Sequence, residues 1–238
     1  MNSVVGMRWL TRALLAAAAA VGFGALVVWV AQRPRFDFRH IELSGDLRHV
    51  SRAQVRSAIT GQLFGNFFTM RLADSRVAFE TIPWVASASV RRVWPDRLVV
   101  KLIERRAVGT WSDGRVLSDA GLLFAANAAE AELDGAQVEF SGPPRFAAEA
   151  AERLQAFSGA LRRVSTTVVA VAVSERASWS LRTGSGQTLE LGRDDPPGSV
   201  QRRLAAIVAN YPTVLAQFGA PPFHIDARYN NGFAVTRP

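Results

Sequence analysis

Side chains suited to nucleophilic, acid–base or metal chemistry are few in this chain and badly spaced for it. Cysteine is absent, which excludes thiolate nucleophiles, disulfides and cysteine metal sites together. His40, His49 and His224 are dispersed and form no His-x-x-His or His-Glu-x-x-His pattern, so no metal site is expected. Ser185 sits in Gly184-Ser185-Gly186, but the flanking strand patterns make that triplet a hairpin turn rather than a strand-to-helix nucleophile elbow. The stretch from Gly61 to Gly65 lacks the lysine and following hydroxyl of a phosphate-binding loop. Asp194-Asp195, beside Pro196-Pro197, reads as a helix entry with acidic groups placed favourably for the helix dipole. No acid–base constellation remains, so the chain is expected to be no enzyme and to use no cofactor or small-molecule substrate.

What the chain does have is a surface to present and elements to present it. Hydrophobic residues make up 49% of the 238, enough for a packed core. The formal charge of +8 is carried almost wholly by arginine, with Lys101 the single lysine. These arginines are scattered singly or in pairs, as at Arg91-Arg92, Arg105-Arg106, Arg162-Arg163 and Arg202-Arg203, with no basic block interleaved with aromatics. Nucleic acid is therefore not an expected partner.

From Ala13 to Ala31 the residues are apolar or small and uncharged. As a helix this stretch would span about 28 Å, close to the thickness of a bilayer's hydrocarbon. Trp9 and Trp29 stand near its two ends, where amphipathic rings favour the interface. A cleaved signal peptide has a shorter apolar region and a small-x-small site, and Val28-Trp29-Val30-Ala31 supplies a poor one, so an uncleaved single-pass anchor is expected. Residues 1–12 form a head too short to fold as a domain. Arginines flank the span on both sides, so local charge does not orient it.

Residues 36–106 show one module. Phe38 to Gly45 reads as a strand, and Ser51 with Gln54 as a capping box ahead of Val55, Ala58 and Ile59 at helical spacing. A second helix is expected over about Arg71–Glu80, burying Leu72, Ala73, Val77 and Phe79, and Pro83 prevents its extension. Trp84–Val93 and Arg97–Glu104 are strand-like, joined by a turn at Trp94-Pro95-Asp96 with Trp94 as a buried aromatic beside it. The order is β-α-α-β-β.

Residues 107–238 show a second module. Strands are expected near Thr110, over Arg115–Phe124 and at Gln137–Phe140, with Ala125–Gly135 a loop. Phe146, Ala150, Leu154, Phe157, Leu161 and Val164 recur at helical spacing. Val168–Val173, Trp179–Arg182 and Thr188–Leu191 form a meander of strands. A helix with Val200, Leu204, Ile207, Val208 and Tyr211 on one face then ends near Pro212, and Phe223–Val235 reads as strand, turn, strand.

The first module, ending Ile82-Pro83-Trp84-Val85 … Val90-Arg91-Arg92-Val93-Trp94-Pro95-Asp96-Arg97-Leu98 … Leu102-Ile103-Glu104-Arg105, resembles a POTRA domain, and in particular that of the FtsQ/DivIB family of bacterial cell-division proteins. Ile41-x-Leu43-x-Gly45, Leu191-Gly192-Arg193, Tyr211-Pro212 and the tail Asp226-x-Arg228-Tyr229-x-x-Gly232-Phe233-Ala234 extend that resemblance over nearly the whole chain. In place of the proline usual after the Glu-Arg pair stand Ala107-Val108, a departure at the module boundary. The resemblance implies an α+β protein: a single N-terminal transmembrane helix, a POTRA domain, then a mostly antiparallel β-meander domain with flanking helices. It implies a cytoplasmic N-terminus, a periplasmic C-terminal region, and a place in the inner membrane at the division septum. The implied role is a non-enzymatic scaffold that links early and late division proteins and recruits FtsB and FtsL through the second module.

By that resemblance the partner-binding residues are Arg193, Arg228, Tyr229, Asn230, Asn231, Gly232 and Phe233. Elementary physics is compatible with the assignment: a terminal strand offers an edge, an arginine pairs a carboxylate, and a tyrosine anchors an interface. Spacing alone favours a plainer reading, in which Tyr229 fills the core and Arg193 makes an internal ion pair. An alternative function is a POTRA-type chaperone or receptor for unfolded envelope polypeptides, which would favour tandem POTRA modules where one is legible.

Overall fold

The computed structural model describes residues 2–62, 64–133, 135, 137–219, 223–229 and 232–237. The chain divides into two compact units, Met1–Glu104 and Arg105–Pro238.

The first unit begins with α1 (Asn2–Ala31), whose stretch Arg12–Ala31 is long and apolar enough to cross a bilayer. Then come β1 (His40–Ser44), α2 (Arg52–Ile59), α3 (Leu72–Glu80), β2 (Val85–Val93) and β3 (Arg97–Glu104) in the β-α-α-β-β order. β3 is the middle strand, parallel to β1 and antiparallel to β2. Its alternate residues Leu98, Val100 and Leu102 are buried against Val55, Phe79 and Ile82, as period-two side chains on a half-covered sheet must be. Ser51 and Gln54 exchange the two hydrogen bonds of a capping box at the start of α2.

Two expectations fail here. On α3 the buried residues are Ser75, Ala78 and Phe79, while Val77 is 57% exposed and Ala73 is also exposed. Ser75 can turn inward because its hydroxyl donates to the Arg71 carbonyl at 3.2 Å, so no polar group is left unsatisfied. Trp94 is 60% exposed: it follows the last ladder pair, Val93–Arg97, at the hairpin tip. The buried tryptophan is Trp84, stacked 3.9 Å from the His49 ring.

Glu104, the last residue of β3, holds the chain between β1 and α2 in place. Its carboxylate accepts the backbone N–H groups of Arg48, His49 and Val50 at 3.1, 3.0 and 2.8 Å, and faces His49 Nδ1 at 3.2 Å. Burial raises the Glu104 pKa, but these donors outweigh it and leave the group below the ordinary value. Glu104→Ala is expected to destabilise this unit by about 2 kcal/mol, since three donors lose one acceptor. The stabilisation from Glu104 is complete above the ordinary glutamate pKa and lost as pH falls through the lowered folded value. Urea unfolding at neutral and acid pH checks both: the Ala variant should show a smaller loss on acidification.

The second unit contains β4 (Ala107–Trp111), β5 (Val116–Ser118), β6 (Leu123–Phe124), α4 (Ala128–Leu133), β7 (Val138–Ser141), α5 (Ala147–Arg162), β8 (Val168–Val173), β9 (Ser178–Thr183), β10 (Thr188–Arg193), α6 (Ser199–Phe218), β11 (His224–Asp226) and β12 (Ala234–Thr236). They form one nine-stranded sheet in the order β12-β11-β10-β9-β8-β7-β4-β5-β6. β7–β8 and β10–β11 are parallel pairs, which require crossovers, and α5 and α6 supply them. Phe157 and Leu161 of α5, with Val200, Leu204 and Ile207 of α6, pack on Trp179, Leu181, Leu189 and Leu191 of the sheet.

The expected loop over 125–135 contains α4, with Ala131 buried and the Asn127 Oδ1 accepting the Ala129 N–H at 3.1 Å. The helix expected to end near Pro212 continues to Phe218, where Gly219 donates back to the Leu215 carbonyl. Proline removes one internal hydrogen bond there, and burial of Val214 in the next turn offsets the loss.

Candidate functional site

The C-terminal end of β10 is distorted by a bulge between Glu190 and Gly192, with Gly192 at φ +74°. A Cβ on Gly192 would lie 3.0 Å from Arg228 Cγ and 3.3 Å from Arg203 Nη1, so this glycine lets two arginine side chains close on the bulge. Arg203 Nη1 donates to the carbonyls of Leu191 and Arg193 at 2.7 and 2.8 Å. Leu191 is the residue that the bulge leaves without a partner across the ladder and Arg193 ends the strand, and an arginine from α6 meets both carbonyls.

Asp194 and Ser199 then turn the chain into α6. Asp194 Oδ1 accepts the Val200 N–H at 3.0 Å, and Oδ2 accepts Arg153 Nη2 of α5 at 2.7 Å. Burial acts to raise the Asp194 pKa, but Arg153 and the N–H groups of Val200 and Gly198 hold it well below the usual carboxylate range. Ser199 Oγ donates to the Arg193 carbonyl at 3.1 Å. The segment carrying Arg193 is thus braced from three sides while the Arg193 side chain is exposed, with no ion-pair partner among the described residues.

On the far side, Ala227 is buried and donates to the Glu190 carbonyl at 2.9 Å, fixing the start of the β11–β12 connection. Arg228 meets Asp226 bidentately, Nε to Oδ1 at 2.9 Å and Nη2 to Oδ2 at 2.7 Å. That hydrogen bonding to Arg228 keeps the Asp226 carboxyl below its ordinary pKa. Arg228 is an internal brace with an exposed outer edge, its side chain 58% accessible. Tyr229 is 60% exposed and does not fill the core, contrary to the plainer reading of the sequence.

Tyr229, Gly232 and Phe233 form one wall of a cleft of about 550 Å³, and Asp195, Arg202 and Arg203 stand on its other side. β12 is the last strand of the sheet and continues from this wall. Asn230 and Asn231 lie outside the described residues. The sequence pattern does not single out Arg202, Arg203 and Asn210 as site residues, although Arg203 and Asn210 share a stripe of α6 beside the buried Val200, Leu204 and Ile207, with Arg202 on the far side. Chemically the arrangement offers arginine donors, an exposed phenol and a strand edge, with no group poised for bond breaking among the described residues; these features suit an extended acidic or aromatic peptide.

Known proteins align with this chain over both units. Residues 36–105 match the family described as POTRA domain, FtsQ-type, and residues 109–228 match cell division protein FtsQ/DivIB, C-terminal. The cell division protein FtsQ of Burkholderia pseudomallei is 38% identical over 98% of this chain and 93% of its own length. The FtsQ proteins of Bordetella pertussis and Allochromatium vinosum are 34% and 35% identical, over 94% and 83% of this chain and 88% and 76% of theirs.

Proposed function

This chain belongs to the FtsQ/DivIB family of non-enzymatic bacterial cell-division proteins, and from that premise we propose that it recruits FtsB, and with it FtsL, by strand addition at β12. In this reading α1 is a single-pass inner-membrane anchor with its N-terminus in the cytoplasm. Residues 36–106 are the POTRA domain and residues 107–238 the partner-binding domain, both periplasmic at the septum. The position of β12 at the end of the sheet, with the arginine- and tyrosine-lined cleft beside it, is the observation that carries the proposal. An unpaired edge gives main-chain hydrogen bonds, and the cleft gives the side-chain selection those bonds lack. Tyr229, Gly232 and Phe233 line that cleft, and Arg193, Arg228, Asn230 and Asn231 complete the partner-binding set that the family resemblance implies. Tethering in one membrane plane raises the effective concentration of the partners for one another.

Successive N–H groups of a strand point to opposite sides, so of Ala234→Pro and Val235→Pro one removes an outward donor and the other a bond to β11. The full chain in nanodiscs is expected to bind the extracytoplasmic segment of FtsB. Both proline variants should lose that binding, and the outward one should keep the thermal stability of the parent. Undiminished binding by the stable proline variant would remove strand addition from the reading.

A further inference from the structure

At the junction of α1 with the rest of its unit, the sequence puts aromatic side chains where a soluble surface would carry polar ones. Phe64 is 75% exposed, Phe68 51% and Trp94 60%. The Phe36 ring lies 5.0 Å from Phe68 and 6.1 Å from Trp94, and Phe67 lies 5.4 Å from each of Phe68 and Trp94. These rings come from three separate segments: the turn after α1, the loop between α2 and α3, and the β2–β3 hairpin tip. Their meeting here cannot be explained as one local run of apolar residues.

Hydrogen bonds tie the loop to the end of the apolar helix. Asn66 is only 5% exposed, and its Nδ2 donates to the Ala31 carbonyl at 2.6 Å. Its Oδ1 accepts the N–H groups of Phe68 and Thr69 at 3.0 and 3.2 Å, which shapes the loop around it. Phe67 donates its N–H to the Phe36 carbonyl at 2.9 Å. The hairpin tip is held to the same place, because the Asp96 carbonyl accepts the Arg39 N–H at 3.0 Å. Ala31 closes the apolar stretch Arg12–Ala31, so whatever lies one hydrogen bond from its carbonyl lies at the edge of the hydrocarbon.

We propose that Phe64, Phe68 and Trp94 form a second, non-spanning membrane contact that seats the POTRA unit in the headgroup layer of an anionic phospholipid bilayer. The proposal rests on α1 being a membrane anchor. Aromatic rings at helix ends favour the interface, and here the fold gathers further rings beside the one already expected at Trp29. Arg33, Arg35 and Arg39 are exposed around the same junction, and Arg33 lies over the Trp29 ring at 3.6 Å, which matches anionic headgroups in charge. A unit seated this way is held at fixed height and tilt instead of swinging on its tether.

The chain has no cysteine, so a single introduced one can carry a fluorophore without further changes. The full chain would be reconstituted in phosphatidylethanolamine–phosphatidylglycerol nanodiscs containing lipids spin-labelled near the glycerol backbone. Labels go at Phe64→Cys, at Leu26→Cys within α1, and at Ile103→Cys. Ile103 is 55% exposed and lies near the other end of β3, about 20 Å along the strand from the tip. The label at 64 is expected to be quenched about as strongly as that at 26 and several-fold more than that at 103. Adding Phe68→Ser and Trp94→Ser should bring it down to the level at 103, with circular dichroism confirming an intact fold. Quenching at 26 but not at 64 overturns the headgroup contact alone. Absence of quenching at 26 overturns the anchor reading and this proposal with it.

Discussion

An Arg153→Met chain is expected to lose about 3 kcal/mol from its second unit, the magnitude seen when one member of a largely buried ion pair is removed. The Arg153 side chain is 10% exposed and Asp194 20%, and they meet at 2.7 Å. Methionine would fill the space but leave Asp194 half-buried with only the Val200 and Gly198 N–H groups and the Ser199 hydroxyl as donors. Arg153 also lies 5.0 Å from the Trp179 ring and bonds Glu149 one turn earlier on α5, so its removal loosens α5 from the sheet as well. Asp194→Asn alone should cost less, because an amide still accepts from Val200. The double variant should recover part of the loss, giving a coupling energy of about 1–3 kcal/mol. Hydrogen exchange of the β9 and β10 amides reads this unit by itself.

The pH dependence separates this pair from general packing. Asp194 has a folded-state pKa well below its unfolded value, so its contribution is complete above about pH 3.9 and disappears as pH falls through the folded value. With Arg153 replaced, the strongest local donor is gone and burial acts against ionisation. The acid loss of stability that Asp194 contributes should then be smaller than in the parent, because its folded-state pKa moves up toward or past the unchanged unfolded value. If the parent and Arg153→Met chains lose the same amount of stability on acidification, Asp194 is not the group held down by Arg153.

The periodic elements were legible because each has one buried face. β3, with Leu98, Val100 and Leu102 at every second place, and α5, with Phe157 and Leu161 on one stripe, could be read directly. The capping box at Ser51 was legible for the same local reason. The failures have non-local causes. Trp94 was expected to be buried because large aromatics usually are, yet nothing in its own neighbourhood reveals that Phe36 and Phe67 come to it at an exposed hairpin tip. Pro212 was expected to end a helix, and the burial of Val214 that keeps the helix going is a tertiary fact.

The site divides along the same line. Arg193, Arg228 and Tyr229 are legible through family resemblance, whereas spacing alone favours a core place for Tyr229 and an internal ion pair for Arg193. Arg202 and Arg203 are legible as a pair but not as members of a cleft, since the position of Arg203 depends on the carbonyls of Leu191 and Arg193 at the end of β10 meeting α6. Gly192 belongs to a Leu-Gly-Arg motif, but its positive φ and the closeness of Arg228 and Arg203 depend on the folded bulge.

Replacing Tyr229 with alanine is expected to weaken binding of the FtsB segment about 100-fold, close to 3 kcal/mol. An exposed phenol on a cleft wall has little to contribute to folding, so the parent stability should be kept within about 0.5 kcal/mol. Arg228→Glu is a different probe: it removes a donor and also sets a second carboxylate against Asp226, so both binding and stability should fall. Gly232→Trp isolates the surface most cleanly. Among the described residues a Cβ there would meet nothing within 4 Å, and its φ is not in the left-handed region, so the larger side chain is expected to be tolerated. The indole would instead project at the cleft wall formed with Tyr229 and Phe233 and occupy space that a partner needs. Calorimetric titration of the nanodisc-held full chain should show Gly232→Trp losing at least as much affinity as Tyr229→Ala, with unchanged melting temperature. Normal affinity in Gly232→Trp and Tyr229→Ala together would place the partner elsewhere on the molecule, whatever the behaviour of Arg228→Glu.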